Sequence, residues 1–265
     1  MRRVMILSCL FLSACSTSPK VQGTYFTENQ DCFVLDGKYG IVESKENGIV
    51  SNLTLRQTEG KLKFYLSRRW RPPLSMLKRR TDKYYFRLLQ RKGDSLIVAP
   101  ESGQAKAFFN NKSYLVFTTK THFADQTNYF HKIIFHSSRC FGYCKDLHLQ
   151  LDYSGNLKVT NNGDGTGDDT ARNDNYFGRV SYKDLDSLRS ILKYSQLKTL
   201  VWPANRRCVD LPDFTLILYQ YDKRYYFHIN AGCQPIVSAE LTSFLYKLYN
   251  YPTLHKVDTT FTYER

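Results

Sequence analysis

After the first fourteen residues, no stretch of the chain stays apolar for the roughly 20 residues that a bilayer-crossing helix needs, so no transmembrane helix is expected beyond that point. Four motifs are missing: the Gly-x-Ser-x-Gly elbow, a Walker-type phosphate loop, a dinucleotide fingerprint and His-Glu-x-x-His. Their absence removes the motif-borne forms of esterase, nucleotide-binding, dinucleotide-dependent and zinc-peptidase chemistry. Met and Trp are scarce, at 3 and 2 residues, against 20 Tyr and 17 Phe. Aromatic side chains suit a pleated, half-buried surface, so the chain reads as rich in strands. Acidic residues are almost missing from one segment. Residues 61–92 hold twelve Lys or Arg and a single acid, Asp82.

What is present begins with a short leader. Arg2 and Arg3 precede an apolar run from Val4 to Ala14, which is the order of a secretory signal peptide. Leu12-Ser13-Ala14-Cys15 then resembles the lipobox of bacterial lipoproteins. The resemblance implies cleavage before Cys15 and lipidation of its thiol, and with it a membrane as a partner. Two or more acyl chains anchor stably where one does not. Asp does not follow the cysteine, which reads Cys15-Ser16-Thr17. In some bacteria that residue retains lipoproteins at the inner membrane, so the resemblance leans towards an outer-membrane lipoprotein facing the periplasm.

The net charge is +14, of which the leader's Arg2 and Arg3 contribute two. Much of the rest lies in the basic segment, where Arg68, Arg69, Arg71, Lys78, Arg79 and Arg80 are the candidate surface cations and Phe64, Tyr65, Trp70, Tyr84, Tyr85 and Phe86 are interleaved. In a cytoplasmic chain this would read as a nucleic-acid surface; an exported chain leaves no nucleic-acid partner. Two readings stand. The cations converge on anionic lipid headgroups, lipid phosphates or acidic glycans, or they are the solvent faces of strands.

The fold expected is α+β, in two parts behind a signal peptide at 1–14 and a tether at 15–23. Residues 24–120 read as an antiparallel β-rich basic domain, a small sandwich or open barrel. Its strands include Lys61–Leu66, a hairpin of Lys83–Gln90 with Ser95–Ala99, and a second hairpin of Ala105–Phe109 with Ser113–Thr118 across Asn110-Asn111-Lys112. Residues 130–251 read as three strands, a helix capped by Ser181, a hairpin of Phe214–Tyr221 with Arg224–Asn230, and a helix from Ser238 to about Tyr249, with both helices packed on an antiparallel sheet. Asn161–Asn175 reads as a polar loop and 252–265 as a tail.

Export permits disulfides. Cys140 and Cys144 are four apart in a turn. Cys208 and Cys233 bracket the second hairpin, whose ends meet within bridging distance. These two pairs would leave Cys32 free, unless it displaces one of their members. Around the first pair, Ser138-Arg139-Cys140-Phe141-Gly142-Tyr143-Cys144 resembles an uncharacterised Cys-Phe-Gly-x-Cys domain of bacterial envelope lipoproteins, notably of the Bacteroidota, over about residues 130–250. Asp210-x-Pro212 supports it, whereas Lys145 stands where that family usually has proline. The resemblance implies fold and location and carries no activity.

Other constellations compete with these. His136-x₃-Cys140-x₃-Cys144-x₃-His148 has the ligand types of structural zinc, but disulfide or core cysteines are the stronger reading. Asn162–Asp169 has the look of a calcium loop, yet Asn173 or Asn175 stands where the distal bidentate Glu belongs. Asp168, Asp169 and Asp174 are paired-carboxylate candidates on a loop without rigid support. Cys32 with a distant His stays open as a nucleophile pair. No cofactor is expected. The function expected is a non-enzymatic binding or structural module of the envelope, for a protein partner or an anionic component; the alternative is an envelope hydrolase acting on glycan or peptide.

Overall fold

The computed structural model describes residues 20–66, 82–127, 129–140, 144–163, 173–200, 211–221 and 223–265. Eight antiparallel strands form a closed barrel in sequence order: β1 Gly23–Phe26, β2 Cys32–Asp36, β3 Tyr39–Ser44, β4 Gly48–Thr58, β5 Lys61–Leu66, β6 Lys83–Lys92, β7 Ser95–Pro100 and β8 Leu115–Thr119. Alternation drives each strand. In β5, Leu62 and Phe64 are buried while Lys61, Lys63 and Tyr65 face outward; in β6, Tyr84 and Phe86 are buried while Lys83, Tyr85 and Arg87 face outward. Closure comes from a short pairing of β1 with β8, Tyr25 opposite Thr119 and Phe26 opposite Thr118. Closing the sheet leaves neither strand with an open edge.

An eight-stranded barrel is just wide enough inside for side chains to fill, and here phenylalanine fills it. Phe33 stacks on Phe117 with ring centroids 4.1 Å apart and meets Phe86 edge-on at 4.8 Å. Phe64 and Phe109 complete the cluster. A Cβ at Gly40 would lie 2.6 Å from the Phe64 ring, so this position in β3 must stay glycine for Phe64 to lie inward. The expected strand at Ala105–Phe109 is instead a helix, α1 Gly103–Phe108. Ser102 Oγ caps it by accepting from Ala105 N, and Asn110 and Asn111, at φ 53° and 57°, end it.

The second assembly is a seven-stranded antiparallel sheet. Its members are β9 Lys132–Ser137, β10 Leu147–Asp152, β11 Asn156–Asn161, β12 Asp174–Arg179, β13 Asp213–Gln220, β14 Lys223–Asn230 and β15 His255–Val257, in the order β14-β13-β9-β10-β11-β12-β15. β12 begins inside the expected polar loop, and β15 lies in the expected tail. Helices α2 Tyr182–Tyr194 and α3 Ile236–Lys247 add Leu185, Leu188, Leu192, Leu241 and Leu245 to the core that Ile133, Phe135, Leu149 and Leu216 begin. Ser181 caps α2 as its spacing predicts, accepting from Asp184 N at 3.1 Å. α3 starts two residues earlier than expected, at Ile236, with Pro235 in extended conformation at its N-cap.

The α+β class is therefore overturned. Strand makes up 46% and helix 21%, so the molecule is mostly β, a closed barrel joined to a second sheet with three short helices. Three features depart from the sequence reading: the barrel is closed and not open, Ala105–Phe109 is largely helical, and β12 and β15 enlarge the second sheet. Barrel and sheet share a core, since Phe26 and Cys32 of the barrel belong to the sheet's cluster. Buried Glu43 of β3 accepts from Ile236 N at 3.1 Å, placing a carboxylate at the positive end of α3.

Candidate functional site

Three neighbouring strands give the barrel one basic, aromatic wall. Arg56 of β4 lies opposite Lys63 of β5, and Lys63 lies opposite Tyr85 of β6. Tyr65 lies opposite Lys83, and Lys61 opposite Arg87. All of these alternate with inward residues, so their side chains share the outer surface. Arg56 sits 5.4 Å from the Tyr65 ring centroid and Lys63 5.9 Å from that of Tyr85, and the two rings meet edge-to-face at 5.6 Å. Each cationic head lies over an aromatic face, whose quadrupole attracts it. Glu101 offsets part of the charge through Lys61 at 3.3 Å and Arg87 at 3.7 Å. Such exposed pairs contribute about 0–1 kcal/mol and leave their members available to other anions.

The chain leaves this wall at Leu66 and returns at Asp82, whose carbonyl accepts from Leu66 N at 3.1 Å. Arg68, Arg69, Arg71, Lys78, Arg79 and Arg80 fall between these two residues and lie outside the described residues, as do Cys15 and Cys208. The Cys140–Cys144 bond is formed, with Cα atoms 5.3 Å apart. Cys233 is disulfide-bonded. Cys32 is free and fully buried; burial first, then the Glu43 and Asp31 carboxylates, pushes its thiol well above the ordinary range. A thiol so placed stays protonated and inert.

With Cys140 and Cys144 bonded to each other, the zinc constellation loses half of its ligands. The structure still brings its two histidines together, directly opposite each other on β9 and β10. They belong to a row that crosses the sheet face opposite the helices, one residue per strand: His228, Thr215, His136, His148, Thr160 and Asn175. His136 and His148 meet Nδ1 to Nδ1 at 2.7 Å. His228 Nδ1 lies 3.0 Å from Thr215 Oγ1, and Thr160 Oγ1 donates to Asn175 Oδ1 at 2.6 Å. Burial pushes both paired imidazoles below the ordinary histidine range; nearby Asp146 opposes this and Arg265 reinforces it. Among the described residues, no three His, Cys, Asp or Glu side chains are grouped to hold a metal ion.

A cleft of about 320 Å³ is lined by Glu28, His122, Asp125, Gln196 and Lys198. Its carboxylate Asp125 accepts from Thr127 N and Oγ1 and pairs with Lys198 at 3.0 Å. Burial alone would raise it, but these partners hold it below the ordinary carboxylate range. That is the wrong direction for a general acid.

The basic wall was visible in sequence as charge, though its convergence was not. The histidine pair did carry a signal that zinc-ligand spacing obscures. His136 and His148 stand at equal distances either side of Gly142, as do Cys140 and Cys144. An antiparallel hairpin pairs residues in that way. No known protein family, curated protein or solved structure matches this chain.

Proposed function

We propose that this chain is an envelope lipoprotein, lipidated at Cys15, that acts as a non-enzymatic binding module for an anionic envelope component through the basic wall of its barrel. One observation carries the reading. Arg56, Lys61, Lys63, Lys83 and Arg87 share one outer face with Tyr65 and Tyr85, at the base of a connection that adds six more cations in sequence. The packed barrel interior directs recognition to the outside, because Phe33, Phe64, Phe86 and Phe117 occupy the space that a ligand-holding barrel would leave open. The leader pattern supports envelope location, and the Cys-Phe-Gly-x-Cys resemblance agrees with it.

The test is cosedimentation of the chain from Ser16 onward with vesicles of phosphatidylglycerol or of phosphatidylcholine alone. Binding to the anionic vesicles is expected near 0.1 M salt, where the screening length is about 10 Å, and should vanish near 1 M, where it is about 3 Å. Equal binding to both vesicles, or no dependence on salt, sinks the electrostatic reading. The anchor is tested separately with a palmitate analogue in the full chain. Cys15→Ala should abolish labelling, and persistent labelling refutes the site.

A further inference from the structure

We infer that residues 258–265 form a strap across the open face of the second sheet, latched by the His136–His148 pair and released when both imidazoles carry a proton. The strap lies down by alternate residues. Phe261 sits over Lys158, with Nζ 5.5 Å from the ring, and Tyr263 sits over the histidine pair, 6.2 Å from the His136 ring and 5.8 Å from the His148 ring. Tyr263 Oη lies 3.0 Å from Thr160 Oγ1. Glu264 binds Arg224 Nε at 2.7 Å and accepts from Tyr219 Oη. The face beneath is not wholly polar. Ile134 and Ile217 point to it from β9 and β13, belong to neither core cluster, and are 1% and 0% exposed.

The hydrogen-bond partners fix the protons. His136 Nε2 lies 2.8 Å from the Glu264 carbonyl, which can only accept, so Nε2 carries the hydrogen. The Nδ1 of a neutral His136 is then a lone pair, and His148 Nδ1 must donate to it across 2.7 Å. His148 Nε2 is left as an acceptor, facing the Asn162 amide nitrogen at 3.4 Å. The result is a one-way chain from Asn162 through both rings to the strap's backbone. One added proton has a place: His148 Nε2 also faces Asp146 Oδ1 at 3.9 Å, and the neighbouring Asn162 Oδ1 is buried without a hydrogen-bond partner. A second has none, because two N–H groups would point at each other between the rings. The rings must then part, and His136 is the residue that holds the strap.

The elements packed around the pair supply the groups that bear on this titration, beginning with Tyr219 of β13, which donates to Glu264. The β9–β10 connection supplies Asp146 and Arg139, themselves paired at 3.6 Å; β11 supplies Lys158; β14 supplies Arg224 and His228; and the strap supplies Tyr263, Glu264 and Arg265. Burial pushes Tyr263 up to about 12, so it stays a neutral phenol throughout the acid range. Both histidines are held below their ordinary range while covered and regain it when uncovered, so acid favours the uncovered state.

The test is hydrogen–deuterium exchange of the full chain at pH 7.5 and pH 5, corrected for intrinsic rates. Protection of 258–265 should fall by up to about tenfold per pH unit for each proton taken up on opening, while β10 and β11 keep theirs. His148→Asn keeps an N–H donor near Nδ1 but cannot titrate, so only His136 can take up a proton and its strap should lose markedly less protection on acidification than the wild type. Tyr263→Ala should lose protection at both pH values, marking the open state. Unchanged protection of the wild type at pH 5, or the same acid response in a folded His148→Asn chain, overturns the proposal.

Discussion

The barrel and the second sheet solve the same burial problem in different ways. The barrel closes on itself and fills its interior with phenylalanine, so it meets solvent through its outer wall. The sheet stays open, buries one face under α2 and α3, and covers the other with a peptide strap held mainly by polar and ring contacts of Phe261, Tyr263 and Glu264. Closure yields a rigid platform on which charge is displayed, whereas an open face yields a surface whose cover is conditional. The lesson is where adaptability resides. Local opening is cheapest where few buried contacts must break, which in this molecule is the strap and not the barrel.

Substitutions can break this comparison. Phe33→Ala removes the ring at the centre of the barrel and should cost about 3–5 kcal/mol, read as a lower midpoint in urea. A cost below about 1 kcal/mol would mean that the barrel core is not the closed unit described. Replacing Cys140 and Cys144 by Ser opens a small loop in the sheet assembly and should cost about 2 kcal/mol by loop-closure entropy; no change under the same denaturant series would show the bond to be unformed in solution. Ser181→Ala removes the α2 cap and should cost about 1 kcal/mol. Thermal melts that match the parent within error would argue against that cap.

Acid should have the smallest effect on global stability, since the strap is local. His136 and His148 are held low in the folded chain, so the stability they confer is full above about pH 6.5. It is lost as pH falls through their lowered folded values. Urea midpoints measured from pH 7.5 to 5 should therefore fall slightly, and the slope should flatten in His148→Asn. A midpoint that rises on acidification would reverse the assigned shift.

Much of the barrel was legible because its signals are local. β5 and the β6–β7 hairpin follow from alternation and from Gly93 in the turn. The pairing of β1 with β8 joins residues far apart in sequence, and no short window contains it. α1 was hidden because Ala105, Phe108 and Phe109 supply apolar positions to a strand pattern as readily as to a helix, and the Ser102 cap was the overlooked cue. β12 reads Asp174-Asn175-Tyr176-Phe177-Gly178-Arg179, with no clean alternation, and its outer edge is paired only by the three-residue β15. The histidine row was illegible as a site because it is assembled from six strands by register. Only its central pair had a spacing that hinted at contact.

The central claim is that recognition belongs to the barrel wall and not to the strapped sheet. Binding of the chain from Ser16 onward to phosphatidylglycerol vesicles, compared between a Lys63→Glu, Lys83→Glu, Arg87→Glu triple variant and His148→Asn at pH 7.5, tests it most directly. At about 1 kcal/mol for each surface cation, the triple variant should bind at least about 100-fold more weakly, and His148→Asn should bind like the parent. Undiminished binding by a folded triple variant would contradict the account.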